Sequence, residues 1–263
     1  MLGASVEPNN VRELVVVHGQ VEQPRKRITG EGAPAGDDRA WRGLYRAGAV
    51  AAASYVVLVT VPIVLVFAGP VPPDTGEAVL AYIADHRVAY LTELICFVGL
   101  AVPALLVFAA LGMALRHTDR SVAAVGGLLG VASEVIALSL GSSPQSLHGG
   151  LVVLSDQYAA TGSTLTRTGL ASAADALIAA TNAVSWAGIL TAAAILTLSL
   201  PMRRAGYGAP LAWLGIVTGV IGIPAEALRP LIGAAYAGYG LLLPVWFGAV
   251  GWRLWRVARE FPS

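Results

Sequence analysis

Between residues 47 and 252 the chain alternates apolar runs with short polar breaks. The runs cover about 47–69, 90–115, 121–141, 176–200, 209–228 and 234–252. Each supplies the roughly 20 apolar residues that a membrane-crossing helix requires. The pattern predicts an all-α, polytopic transmembrane six-helix bundle. Pro70, Pro72 and Pro73 end the first run, and Pro62 and Pro103 fall inside the first and second. The break after the first run carries Asp74, Glu77 and Asp85, with a short helix expected over 77–83. Tight turns at 116–120 and 201–208 follow the second and fourth runs.

The longest connection, 142–174, is patterned differently. Leu147, Leu151, Leu154 and Tyr158 recur at helical spacing, which predicts an amphipathic segment lying on the bundle or the bilayer. Ser163 has the chemistry of a helix cap. A helix running unbroken from there to Leu200 would be about 57 Å long at ~1.5 Å per residue, so it would project beyond the hydrocarbon. Residues 1–40 mix Pro, Gly, Asn and both charge signs and read as a mostly disordered cytoplasmic tail, with at most one turn or strand around 11–18.

Composition agrees with lipid as the solvent. The 263 residues are 56% hydrophobic and 13% charged, half the share of about 25% usual in soluble domains. Seventeen basic and 16 acidic residues nearly cancel, so no polycationic surface points to nucleic acid. Lys26 is the only lysine, and with abundant Ala and Gly this bias suggests a high-GC bacterial genome. The first apolar run is too long for a cleaved signal segment and reads as an uncleaved signal-anchor. Fourteen basic residues fall on one side of the alternating breaks; Arg87, Arg167 and Arg229 fall on the other. The positive-inside rule then puts both termini in the cytoplasm of a bacterial inner membrane. Arg25, Lys26, Arg27, Arg39, Arg42 and Arg46 would lie beside anionic headgroups.

Candidate chemistry is confined to a few polar residues in the runs. A charged group inside a span is costly and is a functional candidate by default. Glu93 opens the second run, Glu134 lies in the outer part of the third, and Glu226 lies near the end of the fifth. Asn182 of the fourth sits at similar depth, and Arg229 follows Glu226 by three residues, a spacing that lets the two pair on one helix face. Glu93 is placed to reach interfacial water. Glu134 has no cation nearby in sequence, and Ser133 beside it is expected to point elsewhere. The stretches 127–138 and 219–230 share a Gly-x2-Gly-x3-Glu spacing, which would relate the third and fifth runs in parallel. No nucleophile, metal or phosphate-binding motif is present, no run contains a His, and Cys96 is alone, so no catalytic residue, cofactor or metal site is expected. Asp85-His86-Arg87 reads as a solvated loop.

Several segments, taken together, resemble an uncharacterised (domain of unknown function) family of bacterial six-span integral membrane proteins. They are WRGLYRAG at 41–48, HRVAYLTEL at 86–94, LRHTDRSVAAVGGLLG at 115–130, LSDQYAA at 154–160, AWLGIVTGV at 212–220 and LLLPVWFGAVGWRL at 241–254. The resemblance implies a six-helix bundle with an external loop between spans 3 and 4. It implies no activity.

Two functions stay open. The five polar residues Glu93, Glu134, Asn182, Glu226 and Arg229 form an outward-facing pocket that binds or moves a small solute or proton. Alternatively each acid is satisfied separately, and the chain is a scaffold whose Gly-rich helix faces meet a membrane-protein partner or a second copy.

Overall fold

The computed structural model describes residues 35–143 and 146–260. In chain order the helices are α1 (Ala35–Ala68), α2 (Gly76–Asp85), α3 (Arg87–Gly99), α4 (Ala101–Leu115), α5 (Arg120–Leu140), α6 (Gly149–Ala160), α7 (Thr164–Asn182), α8 (Trp186–Met202), α9 (Ala209–Ala227), the short α10 (Arg229–Ile232) and α11 (Tyr236–Glu260). A two-stranded antiparallel hairpin, β1 (Ser142–Ser143) and β2 (Leu147–His148), separates α5 from α6.

Local chemistry sets most of these boundaries. Asp119 accepts from Val122 N at 3.0 Å and caps α5. Gly141, at φ +57°, ends that helix in the left-handed conformation that glycine adopts without a Cβ clash. Ser163 caps α7 and Ser185 caps α8 through their hydroxyls. The step between α3 and α4 follows from Pro103: it has no N–H to give the Gly99 carbonyl, yet the bonds Leu100 N to Cys96 O and Ala104 N to Leu100 O carry the chain onward.

Six helices pack in a closed ring. α1 packs on α4, α4 on α5, α5 on α8, α8 on α9, α9 on α11, and α11 returns to α1. Glycines permit the close approaches: a Cβ on Gly251 would lie 2.4 Å from Ala52 Cβ, and one on Gly130 would lie 2.3 Å from the Phe108 ring. The ring is filled by aromatic side chains. Tyr55 stacks on Phe247 at 3.9 Å between centroids, and Phe247 meets Trp246 edge-on at 5.1 Å.

Five segments are long and apolar enough to cross a membrane: Ala40–Leu65, Arg87–Leu115, Arg120–Leu140, Thr164–Met202 and Ala209–Ala227. This is a transmembrane helical bundle. α11 takes the sixth place in the ring and is 25 residues long, but Tyr, Gly, Trp and three Arg dilute its apolar character.

The ends of the bundle differ. At one end Arg42 Nε donates to Ala258 O at 3.3 Å and Arg116 Nη1 donates to Tyr45 Oη at 2.9 Å, while Arg253 bonds Gly206 O. The start of α1, the α4–α5 turn, the α8–α9 turn and the end of α11 therefore share one basic end. At the other end α2, α6, α7 and the hairpin build a cap on α3. Its core is Val79, Leu80, Ile83, Tyr90, Leu94, Leu147, Leu151 and Ile178. The Tyr90 hydroxyl locks the hairpin by donating to Ser146 O at 3.0 Å and accepting from His148 N at 2.9 Å.

Three expectations change. The helix expected from 163 to 200 breaks at 183–185, because Ser185 turns its hydroxyl to Gly188 N at 3.0 Å and starts a new helix. The segment at 147–158 packs on α2 and α7, and its first residue, Leu147, is in a strand. Of the tail expected at 1–40, residues 35–40 belong to α1; the remainder, with its 11–18 element and the Arg25–Arg27 cluster, lies outside the described residues.

Candidate functional site

At the capped end, α8 presents Gly188 and Thr191 on successive turns. Glu134 of α5 is 7% exposed, and its Oε1 lies within hydrogen-bond distance of Thr191 Oγ1 at 3.2 Å and Ser133 Oγ at 3.3 Å, with Thr191 Oγ1 also 3.1 Å from Ala187 O. Ser133 thus does face Glu134, contrary to expectation, although its shorter contact is to Gly130 O at 2.7 Å. Each of these hydroxyls has one proton, which it shares between a carbonyl of its own previous turn and the Glu134 carboxyl. Among the described residues no cation reaches Glu134. Its site lies about 9 Å from the end of α5 at ~1.5 Å per residue.

Glu226 of α9 is 3% exposed and sits over Gly188, where any Cβ would lie 2.2 Å from its carboxyl carbon. It forms an ion pair with Arg229, three residues on, as the spacing predicts. Tyr236 of α11 completes the set: its hydroxyl donates to Glu226 Oε1 at 2.8 Å, accepts from Arg229 Nη2 at 3.2 Å, and its ring lies 5.0 Å beneath the guanidinium carbon. Tyr236 packs edge-on against Tyr239, which is 2% exposed with a hydroxyl that has no partner among the described residues. Gly222 leaves room for the Tyr239 ring, which a Cβ there would approach to 2.4 Å.

The two acids therefore converge on one helix. Residues three apart on a helix have Cβ atoms about 5–6 Å apart, so Gly188 and Thr191 hold Glu226 and Glu134 on adjacent turns of α8. The shared Gly-x2-Gly-x3-Glu spacing packs differently in the two helices that flank α8: Gly127 and Gly130 of α5 face Gly112 and Phe108 of α4, whereas Gly219 and Gly222 of α9 face Leu196 and Ala192 of α8. If both acids are ionised, the cluster of Glu134, Glu226 and Arg229 carries one net negative charge.

The other two candidates stand apart. Glu93 is 2% exposed beneath the cap, with Oε2 unpartnered among the described residues, so it does not meet the interfacial water expected of it. The hairpin and α2 cover the start of α3. Asn182 is the last residue of α7, half-buried before the break, and joins neither acid. The ion pair was legible from its spacing. Gly188, Thr191 and Tyr236 carried no such signal, because each lies on a different helix from the acid it serves.

Polar contacts outside the spans belong to the cap. Arg87 pairs with Asp156, and its hydrogen bond holds the Asp156 carboxyl below the usual carboxylate range. Tyr158 donates to Glu77 Oε1 at 3.0 Å, which raises its hydroxyl pKa. His86 stacks on Tyr82 at 4.6 Å. Among the described residues no three His, Cys, Asp or Glu side chains gather to hold a metal ion.

No protein-family model matches the chain, and no curated protein or solved structure matches it.

Proposed function

We propose that this chain is a six-span bacterial inner-membrane protein that binds or moves a proton or a small cationic solute at the paired acids beneath its outer end. The observation that carries this reading is Glu134, a buried carboxyl met by hydroxyls and, among the described residues, by no cation. An unpaired carboxylate in a low-dielectric interior is costly, and a proton or a bound cation removes that cost. Glu134 is the exchanging group. Glu226, Arg229 and Tyr236 form a fixed polar wall beside it.

The distribution of basic residues supports an orientation with the basic end in the cytoplasm, which leaves the acids in the outer half. α11, with its Trp and Arg residues at the basic end, serves as the sixth span and interfacial anchor.

The test is proton flux into pyranine-loaded proteoliposomes under an imposed pH gradient. Wild-type protein should dissipate the gradient, and Glu134→Gln, inserted at equal density, should be no faster than protein-free vesicles. Equal flux from wild type and Glu134→Gln overturns the reading. So does a wild type that moves no protons and whose unfolding temperature is not raised by ammonium or methylammonium ions.

The scaffold alternative has less to stand on. The glycines at 126, 130, 219, 222 and 251 meet Leu198, Phe108, Leu196, Tyr239 and Ala52 inside the chain, so these faces are already occupied.

A further inference from the structure

A shallow groove of about 510 Å³ runs along the outside of the ring between α1 and α4. Its α1 side is a stripe at i, i+4 spacing, Arg46, Val50, Ser54 and Leu58; Val102 and Leu106 of α4 face it. The groove exists because Ala47 and Ala51 leave the space between the larger side chains unfilled. Val50, Val102 and Leu106 are 59%, 54% and 36% exposed, so the floor and rims are apolar and open to the surroundings.

Two features select an occupant. From Arg46 to Leu58 the stripe rises about 18 Å at ~1.5 Å per residue, close to one leaflet of a hydrocarbon core about 30 Å thick. Arg46 closes the basic end of the groove and, among the described residues, has no ion pair or hydrogen bond. Its neighbours differ: Arg42 donates to Ala258 O, and Arg116 donates to Tyr45 and to Met113 O. Ser54 does not compete for a headgroup, because its hydroxyl is spent on Val50 O at 3.1 Å.

We propose that this groove binds one anionic phospholipid, with an acyl chain along Val50, Leu58, Val102 and Leu106 and its phosphate at Arg46. The cation at one end and an apolar track one leaflet long match the two halves of that molecule. The proposal rests on the membrane-spanning reading of the bundle and is independent of the acid site.

The experiment is native mass spectrometry of protein taken from bilayers of equal phosphatidylglycerol and phosphatidylcholine. Wild type should retain one phosphatidylglycerol in preference to phosphatidylcholine. Arg46→Gln should lower that retention about fivefold, the weight of one basic residue at an anionic surface. Leu106→Trp should fill the track and displace the lipid. Arg204→Gln, at the basic end but outside the groove, should change nothing. Unfolding temperatures in phosphatidylcholine alone should be equal for all four proteins, which separates lost binding from lost folding. Equal retention of the two lipids overturns the site, as does an Arg204→Gln loss equal to that of Arg46→Gln. Retention of neither lipid overturns the site as well.

Discussion

Glu134 and Glu226 are both buried carboxyls, yet their environments assign them different work. Glu226 has a cation three residues away and a tyrosine across a turn; Glu134 has only hydroxyls among the described residues. A buried pair broken on one side leaves an uncompensated charge, at a cost of about 3–5 kcal/mol, whereas apolar replacement of both partners is often neutral. Glu226→Leu should therefore lower the unfolding temperature sharply, and Glu226→Leu with Arg229→Leu should recover most of the loss. Thermal unfolding in detergent of the two single variants and the double variant measures the coupling. Additive losses would mean that the ion pair is not the unit of stability at this end. Only half of this arrangement was legible. The i, i+3 pair could be read from spacing, but Thr191 lies 57 residues from Glu134, and nothing local announces such a contact.

Elements with local end signals were legible, and those that depend on distant partners were not. Asp119, Ser163 and Gly141 mark ends that short-range bonds enforce. The break at 183–185 has the same kind of signal in Ser185, but the apolar run passes through it and masks it in a hydropathy reading. The hairpin strands are two residues each, too short for any period. The start of α2 is held from far away: Gly76 N donates to Asp175 Oδ1 at 2.5 Å, and a Cβ on Gly76 would lie 2.0 Å from Ala171 O. Asp175→Ala removes this cap, worth about 1 kcal/mol, so hydrogen exchange at the first amides of α2 should accelerate about fivefold. Unchanged exchange there would show that the contact does not hold the helix. The link from α6 to α3 adds a pH dependence. Asp156 has its native pKa lowered by the hydrogen bond from Arg87, so the unfolded carboxyl binds protons more readily. The contribution is fully present above the usual carboxylate pKa of about 4 and is lost as pH falls through the lower native value. Both side chains are about half exposed, at 47% and 54%, so the effect is confined to the cap. Exchange in α6, corrected for its intrinsic pH dependence, should accelerate as pH falls below about 4 in wild type. In Asp156→Asn that acceleration should be absent.

At the scale of the whole molecule, the contact between the first and last ring helices closes the fold. Every other pair in the ring is consecutive in the order in which the chain visits it, and short turns keep α4 near α5 and α8 near α9. α1 and α11 are joined by no such connection, and packing must hold them. Gly251 makes the approach possible, with Ala52 opposite it and Ala49 O 3.4 Å from any added Cβ. The neighbouring stack of Tyr55 on Phe247 depends on the same spacing. Gly251→Val puts new atoms where Ala52 already sits, and overpacking of this kind costs about 1–3 kcal/mol. The atoms it meets are Cβ and backbone, which cannot swing aside as a long side chain can. The variant should thus open the ring at the α1–α11 seam and lower the unfolding temperature, and Ala52→Gly in the same chain should restore part of it. Gly248 provides the control on the same helix, since a Cβ there would make only ordinary contact with Val56 at 3.5 Å. Gly248→Ala should leave the unfolding temperature near wild type. Equal losses at 248 and 251 would mean that glycine in α11 matters for its backbone and not for closing the ring.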